Sequence, residues 1–219
     1  PHRPTIIGGR YGIGSKNTTP GQILAVFQEL RKKNPKKQFT IGIEDDITHL
    51  SLNVETEHDL TPRGTYQVKF WGLGGDGTVS MNHSSIRIIG NQTDKKVQAY
   101  FYFDSRKRDG VTVSHLRFGD APIQSTYFIQ QSDFIGVSMP AYLHQYDVLE
   151  GLKQGGIFLL NTTWTKEQLD RYLPNKIKKY LSQNNIRFYI INAYKIAQEV
   201  GLIGKFSISM QAAFFKLTK

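Results

Sequence analysis

Phe70-Trp71-Gly72-Leu73-Gly74-Gly75-Asp76-Gly77-Thr78-Val79-Ser80 joins two segments of different period. Before it, the apolar run from Tyr66 to Trp71 reads as a strand; after it, Thr78 to Ile89 reads as a helix. Gly72, Gly74 and Gly77 fit G-x-G-x-x-G, a strand-to-helix turn in which residues without Cβ let backbone N–H groups approach a phosphate. The first helical turn adds unpaired donors and the positive end of a dipole. Two readings follow. In one, Gly72 to Thr78 is an anion site; in the other, the glycines only pack a strand against a helix. As a dinucleotide fingerprint the stretch departs from pattern, because the next strand-ending acid, Asp104, lies farther on than the roughly 20 residues usual for a ribose-binding carboxylate.

Toward the N-terminus, residues 5–8 read as a short strand entering Gly9-Arg10-Tyr11-Gly12-Ile13-Gly14-Ser15-Lys16. Arg10, Ser15 and Lys16 there are candidate anion contacts, with a solvated loop as the plainer alternative. Thr19-Pro20 is a helix start, threonine as N-cap and proline at the first helical position. Ile23, Leu24, Phe27 and Leu30 fall on one face, so residues 20–33 are expected to form an amphipathic helix. Lys32, Lys33, Lys36 and Lys37 suit the helix's negative end. Residues 39–43 form a buried-type strand ending in Glu44-Asp45-Asp46, acids that cap the loop or bind a cation. Residues 48–63 are a polar connection, the division between an N-terminal αβ segment (1–60) and the main body (65–219).

Toward the C-terminus, the helix after the glycine turn is stopped by Gly90-Asn91. Strands are expected at 97–104, 111–119, 133–137, 157–160 and 186–191, and helices at 141–153, from the capping-box Thr165-Lys166-Glu167-Gln168, after Pro174, at 193–200 and at 207–217. Strands alternating with helices give an α/β fold: one domain, Rossmann-like, with a mixed or mainly parallel sheet covered by helices on both faces.

Composition narrows the chemistry. The 219 residues carry 28 Lys and Arg against 18 Asp and Glu, a formal charge of +10. That suits nucleic acid, a phosphorylated ligand or an acidic partner, but no nucleic-acid motif is present. No cysteine occurs, which removes disulfides, a thiol nucleophile, and cysteine ligands for zinc or an iron–sulfur cluster. The histidines at 2, 49, 58, 83, 115 and 144 never reach the H-x-x-x-H spacing, so no metal site is expected from this chain alone. No apolar run approaches the roughly 20 residues of a membrane span, and no charged-then-apolar leader opens the chain. It starts at Pro1 without methionine, as a piece of a longer protein would.

Several strings in this order are distinctive: residues 8–16, Ile43-Glu44-Asp45-Asp46, residues 70–79, Ser114-His115-Leu116-Arg117-Phe118-Gly119, residues 149–156, Ala197-Gln198-Glu199-Val200-Gly201-Leu202, and Gln211-Ala212-Ala213-Phe214-Phe215-Lys216-Leu217. Together, over essentially the whole chain, they resemble pyruvate:ferredoxin (flavodoxin) oxidoreductase, in particular its internal gamma domain and the segment leading into it. The resemblance implies a cytoplasmic enzyme of several domains, dimeric as a whole. It decarboxylates pyruvate on thiamine diphosphate, moves electrons through iron–sulfur clusters to ferredoxin or flavodoxin, and hands the acetyl group to coenzyme A. Thiamine diphosphate and the clusters belong to other domains of that family, so this chain alone is expected to be inert. The gamma domain lies beside the active site and helps to receive coenzyme A. On that basis Gly72, Gly74, Gly75, Asp76, Gly77 and Thr78, with Arg10, Ser15 and Lys16, become candidate contacts to the coenzyme's phosphates. Many relatives carry Gly-Ala-Asn-Lys where this chain has Ser80-Met81-Asn82-His83, so a lysine contact there is weakened or absent. The alternative class is an NAD(P)-binding dehydrogenase domain built on the same turn.

Overall fold

The structure, a computed structural model, describes residues 3–12, 17–43, 47–104 and 110–218. It divides into two compact units, residues 1–61 with 125–128, and residues 62–124 with 129–219.

In the first unit, β1 (Gly8–Tyr11) pairs in parallel with β2 (Gln38–Ile41), and α1 (Pro20–Leu30) runs between them in sequence. The strand expected at 5–8 lies later, because Ile7 packs on the small core of Ala25, Phe39 and Ile41 while the next four residues carry the ladder. Thr19 and Gln22 close a full capping box on α1. Its apolar face is turned outward: Gly21, Ala25 and Glu29 are buried, whereas Ile23, Leu24, Phe27 and Leu30 are exposed. Lys32 and the backbone of Lys36, beyond the end of α1, serve a buried carboxylate. Lys32 Nζ (2.6 Å) and the Lys36 backbone N–H (2.8 Å) both donate to Glu29. Those bonds hold the Glu29 carboxyl below its ordinary range against the opposing effect of desolvation.

The second unit contains β3 (Tyr66–Leu73), α2 (Thr78–Gln92), β4 (Lys96–Phe103), β5 (Val111–Gly119), β6 (Ser132–Val137), α3 (Tyr142–Gln145), β7 (Leu152–Asn161), α4 (Lys166–Tyr172), α5 (Asn175–Gln183), β8 (Arg187–Ile191), α6 (Ala193–Glu199) and α7 (Phe206–Leu217). Its six strands lie in the order β4-β5-β3-β6-β7-β8. The run β3-β6-β7-β8 is parallel, and β5 is antiparallel to both β3 and β4. Val68, Phe70, Phe134, Ile157 and Leu159 point to one face and pack with residues of α2, α6 and α7. Ile135, Val137, Phe158 and Leu160 point to the other and pack with residues of α3 and α5. This is the mixed, mainly parallel sheet with helices on both faces that the alternating pattern implies.

Several boundaries differ from expectation, β7 among them, which begins at Leu152 rather than at 157. α2 runs through Gly90 and stops at Gln92, where Thr93 turns both its N–H (3.1 Å) and its hydroxyl (2.6 Å) back onto the Ile89 carbonyl. The helix expected over 141–153 is only α3. Val148, Leu149 and Leu152 are buried, but Leu152 already pairs with Ser132 in the sheet. Apolar spacing in that stretch satisfies a turn and a strand start as well as a helix.

Candidate functional site

The glycine turn follows β3 at its carboxyl end. From β3 the chain passes through α2 to β4 and β5 on one side, and then crosses to β6 on the other. β3 is therefore a topological switch point, where open α/β sheets bind ligands beyond the strand ends.

Within the turn, Asp76 organises the donors. Its Oδ2 accepts from the Leu73 N–H (2.8 Å) and from the Ser138 hydroxyl (2.8 Å), and its Oδ1 accepts from the Thr78 N–H (2.7 Å). The Asp76 N–H closes the turn onto Leu73 O at 3.0 Å, and the Gly74 N–H bonds Gly110 O at 2.9 Å. Asp76 thus places a carboxylate in the hollow of backbone donors where the anion reading seats a phosphate. A phosphate does not fit among those inner donors. The glycines have separate causes. A Cβ on Gly72 would lie 2.6 Å from Thr78 Cβ; Gly77, at φ +86°, would meet Ser207 Oγ at 2.8 Å. Gly75, at φ +88°, has nothing within 4 Å of a Cβ and is exposed. α2 starts at Gly77 with no capping side chain.

A polar network continues along the same strand ends. The Ser138 N–H donates to Trp71 O at 2.9 Å. Asn161 closes β7 and donates from Nδ2 to Ser138 O at 3.1 Å, while its Oδ1 accepts from the Ala193 N–H at 3.0 Å. Tyr142 donates its hydroxyl to Gly72 O at 3.3 Å; burial, with Asp76 adding, pushes that phenol up to about 12. Ser138, Tyr142 and Asn161 were not singled out from sequence. The available signal was a short polar residue directly at the end of two apolar strands.

A second polar layer lies inside the sheet. Register pairs Gln67 with Arg117 and Lys69 with His115, and all four are buried. Arg117 donates from Nε to Gln67 Oε1 (3.0 Å) and from Nη1 to Gln98 Oε1 (2.9 Å). Lys69 Nζ donates to Glu150 O at 2.5 Å, and burial pulls its amine down to about 8 against the pull of Glu150 and Asp147. His115 Nδ1 accepts from the Ile129 N–H at 3.2 Å, which leaves the ring proton on Nε2. Burial first, then Lys69 and Arg117, drive its pKa down to about 3. Such a neutral, buried imidazole is built into the sheet and is not poised for proton transfer near neutral pH.

The other candidates are placed as follows. Arg10 stands exposed in β1, opposite Thr40, rather than on a loop. Ser15, Lys16 and the Glu44-Asp45-Asp46 acids lie outside the described residues. His83 is exposed and stacks on Phe101 at 4.0 Å between ring centroids. It lines a shallow groove of about 380 Å³ on α2 with Ser80, Ser84 and Arg87. Among the described residues there is no cluster of three His, Cys, Asp or Glu able to hold a metal, and no helix long and apolar enough to cross a membrane.

The dehydrogenase reading is not supported by this arrangement. A dinucleotide fold needs the strand after the first helix to lie beside the first strand, so that its terminal acid reaches the ribose. Here β5 intervenes, and Asp104 follows a strand two positions from β3, roughly 10 Å away at ordinary strand spacing.

Comparison with known proteins agrees on one family. Residues 67–219 match the family described as pyruvate ferredoxin/flavodoxin oxidoreductase. The chain is 51% identical, over 97% of its length, to a pyruvate:ferredoxin oxidoreductase of Moorella thermoacetica, of which it covers 18%. It is 50% identical, over 98% of its length, to a pyruvate-flavodoxin oxidoreductase of Enterobacter agglomerans, again covering 18%. The chain therefore spans less than a fifth of the length of these relatives. Among solved structures, the PORC subunit of a pyruvate oxidoreductase from Thermotoga maritima has a similar fold, with a TM-score of 0.55 at 20% identity over 71% of this chain and 78% of that one.

Proposed function

The chain belongs to the pyruvate ferredoxin/flavodoxin oxidoreductase family, and from that premise we propose that it is one non-catalytic part of a larger pyruvate oxidoreductase. In this reading the parent takes pyruvate and coenzyme A to acetyl-CoA and carbon dioxide and passes electrons to ferredoxin or flavodoxin. Thiamine diphosphate would supply the decarboxylation chemistry and iron–sulfur clusters the electron path, both held by residues beyond this chain, which has no cysteine. The resemblance also makes the parent a cytoplasmic homodimer. The observation that carries the proposal is the match of 97% of this chain to 18% of a named relative. A chain that corresponds so fully to so small a part is a part.

The finer role proposed is reception of coenzyme A at the carboxyl edge of the sheet. It is supported by the switch point at β3, by the exposed and sterically open Gly75, and by a first turn of α2 whose N-cap, Gly77, has no side chain to occupy its donors. Because Asp76 holds the Leu73 and Thr78 N–H groups, a coenzyme phosphate meets the outer rim, at Gly75 and the first turn of α2, and not the hollow inside. For Arg10, the geometry adds that its side chain is exposed on β1.

Gly75→Asn in the full-length enzyme tests this. Asparagine is among the L residues that enter positive φ at least cost, and it places a side chain where the phosphate is proposed to approach. The apparent KM for coenzyme A should rise by roughly tenfold, equivalent to about 1.4 kcal/mol, while cluster reduction by pyruvate alone is unchanged. A folded variant with the parent's coenzyme A dependence would return Gly75 to a purely structural role.

A further inference from the structure

α1 is an amphipathic helix worn inside out. Its inner side is Gly21, Ala25 and Glu29, at 3% to 6% exposure for the last two, and its outer side is Ile23, Leu24, Phe27 and Leu30, exposed by 48%, 39%, 57% and 38%. Single exposed leucines are ordinary on protein surfaces. Four large apolar residues at i, i+1, i+4 and i+7 form a continuous stripe, and such a stripe marks a surface that something covers.

The helix cannot bury the stripe by rotating, because its rotation is fixed by polar bonds on the inner side. The Thr19 hydroxyl donates to Glu57 Oε1 (2.7 Å) and the Gly21 N–H to Glu57 Oε2 (3.3 Å). At the other end, Glu29 is held by Lys32 and by the Lys36 N–H. A Cβ on Gly21 would already lie 2.6 Å from Thr56 O, so the inner side is closed to a side chain at that position. Turning the stripe inward would break these bonds.

We propose that the outer face of α1 is an intramolecular docking surface, covered in the full-length protein by another segment of the same polypeptide. This rests on the reading of the chain as part of a longer oxidoreductase. The relative from Moorella thermoacetica aligns through 97% of this chain and extends over more than five times the aligned length, since that alignment is 18% of it. The bulk of such a polypeptide lies outside these residues and is tethered to them, which favours it over a free partner through its high effective concentration. The covering surface is apolar, because the stripe offers no charge and no unpaired donor.

Hydroxyl-radical footprinting read by mass spectrometry tests the proposal on two proteins, the 219-residue chain and the full-length enzyme that carries it. Leu24 and Phe27 should be modified at least about fivefold more slowly in the full-length enzyme, with the buried Phe134 slow in both. Equal rates at Leu24 and Phe27 would overturn it. Light scattering of the isolated chain supplies a second arm. A monomer agrees with the proposal; a dimer that Phe27→Lys dissociates would make the occupant a second copy and overturn it. Pyruvate turnover by the full-length protein is measured separately. An inactive protein with a protected α1 would sink the enzymatic reading and leave the docking surface standing.

Discussion

Two glycine-rich stretches, residues 8–12 in the first unit and 72–77 in the second, carry the same promise in sequence: small residues at a strand boundary with an anion in view. The molecule uses them differently. In the first, Gly8 and Gly9 are absorbed into β1 and pair with Gln38 and Phe39 in an ordinary ladder. In the second, Gly75 and Gly77 adopt left-handed conformations and shape a turn whose inner donors are taken by Asp76. Glycine spacing reports what a backbone is free to do. What it does is decided by a neighbour, in one case a strand and in the other a carboxylate.

The largest expected difference between the two units is in acid. His115 belongs to the second unit, and its folded pKa of about 3 is below the ordinary 6.5. The unfolded chain therefore binds that proton first, and the stability present above pH 6.5 is lost as pH falls toward 3, on the order of 5 kcal/mol. Glu29 in the first unit is held below the ordinary 4.5, so its contribution begins to fade only under 4.5. Trp71 and Trp164 both lie in the second unit. Denaturant midpoints read by tryptophan fluorescence should thus fall steadily from pH 6.5 to 4.5, and His115→Gln should flatten that fall. A flat wild-type profile over this range would mean that the imidazole is not held neutral.

Asp76→Ala comes next. It strips the acceptor from the Leu73 and Thr78 N–H groups and the Ser138 hydroxyl, and should destabilise the second unit by about 2–3 kcal/mol. A change under about 0.5 kcal/mol in urea unfolding would show that the turn does not depend on its own carboxylate.

The smallest effects compare the glycines directly. Gly77→Ala meets both a φ of +86° and Ser207 Oγ at 2.8 Å, and should cost about 1–2 kcal/mol. Gly8→Ala has no positive φ and only Lys37 O at 3.9 Å, and should stay within about 0.5 kcal/mol of the parent. Equal losses at the two positions would erase the distinction between turn and ladder.

Much of the fold could be read from residues because its signals are local. Tyr66 to Phe70 alternates cleanly, Thr19-Pro20 and Thr165 to Gln168 carry their caps in four residues, and both capping boxes form. What could not be read depends on distant partners. Nothing near Val97 to Phe103 indicates that β5 will insert between β4 and β3, and that insertion is what separates Asp104 from the turn. The role of Asp76 requires Ser138, 62 residues away. The period of Ile23, Leu24, Phe27 and Leu30 correctly gives a helix with one apolar face, but a period cannot say whether that face meets its own unit or another segment.

The place of β5 also sets the entropy of assembling the sheet. β4 and β5 pair from Phe103 with Thr112, near neighbours in the chain, whereas the parallel ladder of β3 with β6 joins Val68 to Phe134, 66 residues apart. Loop closure grows only as the logarithm of length, so the longer contact is dearer by about 2 kcal/mol. Chain entropy therefore favours the antiparallel pairing of β4 with β5 over the long-range parallel ladder on the other side of β3.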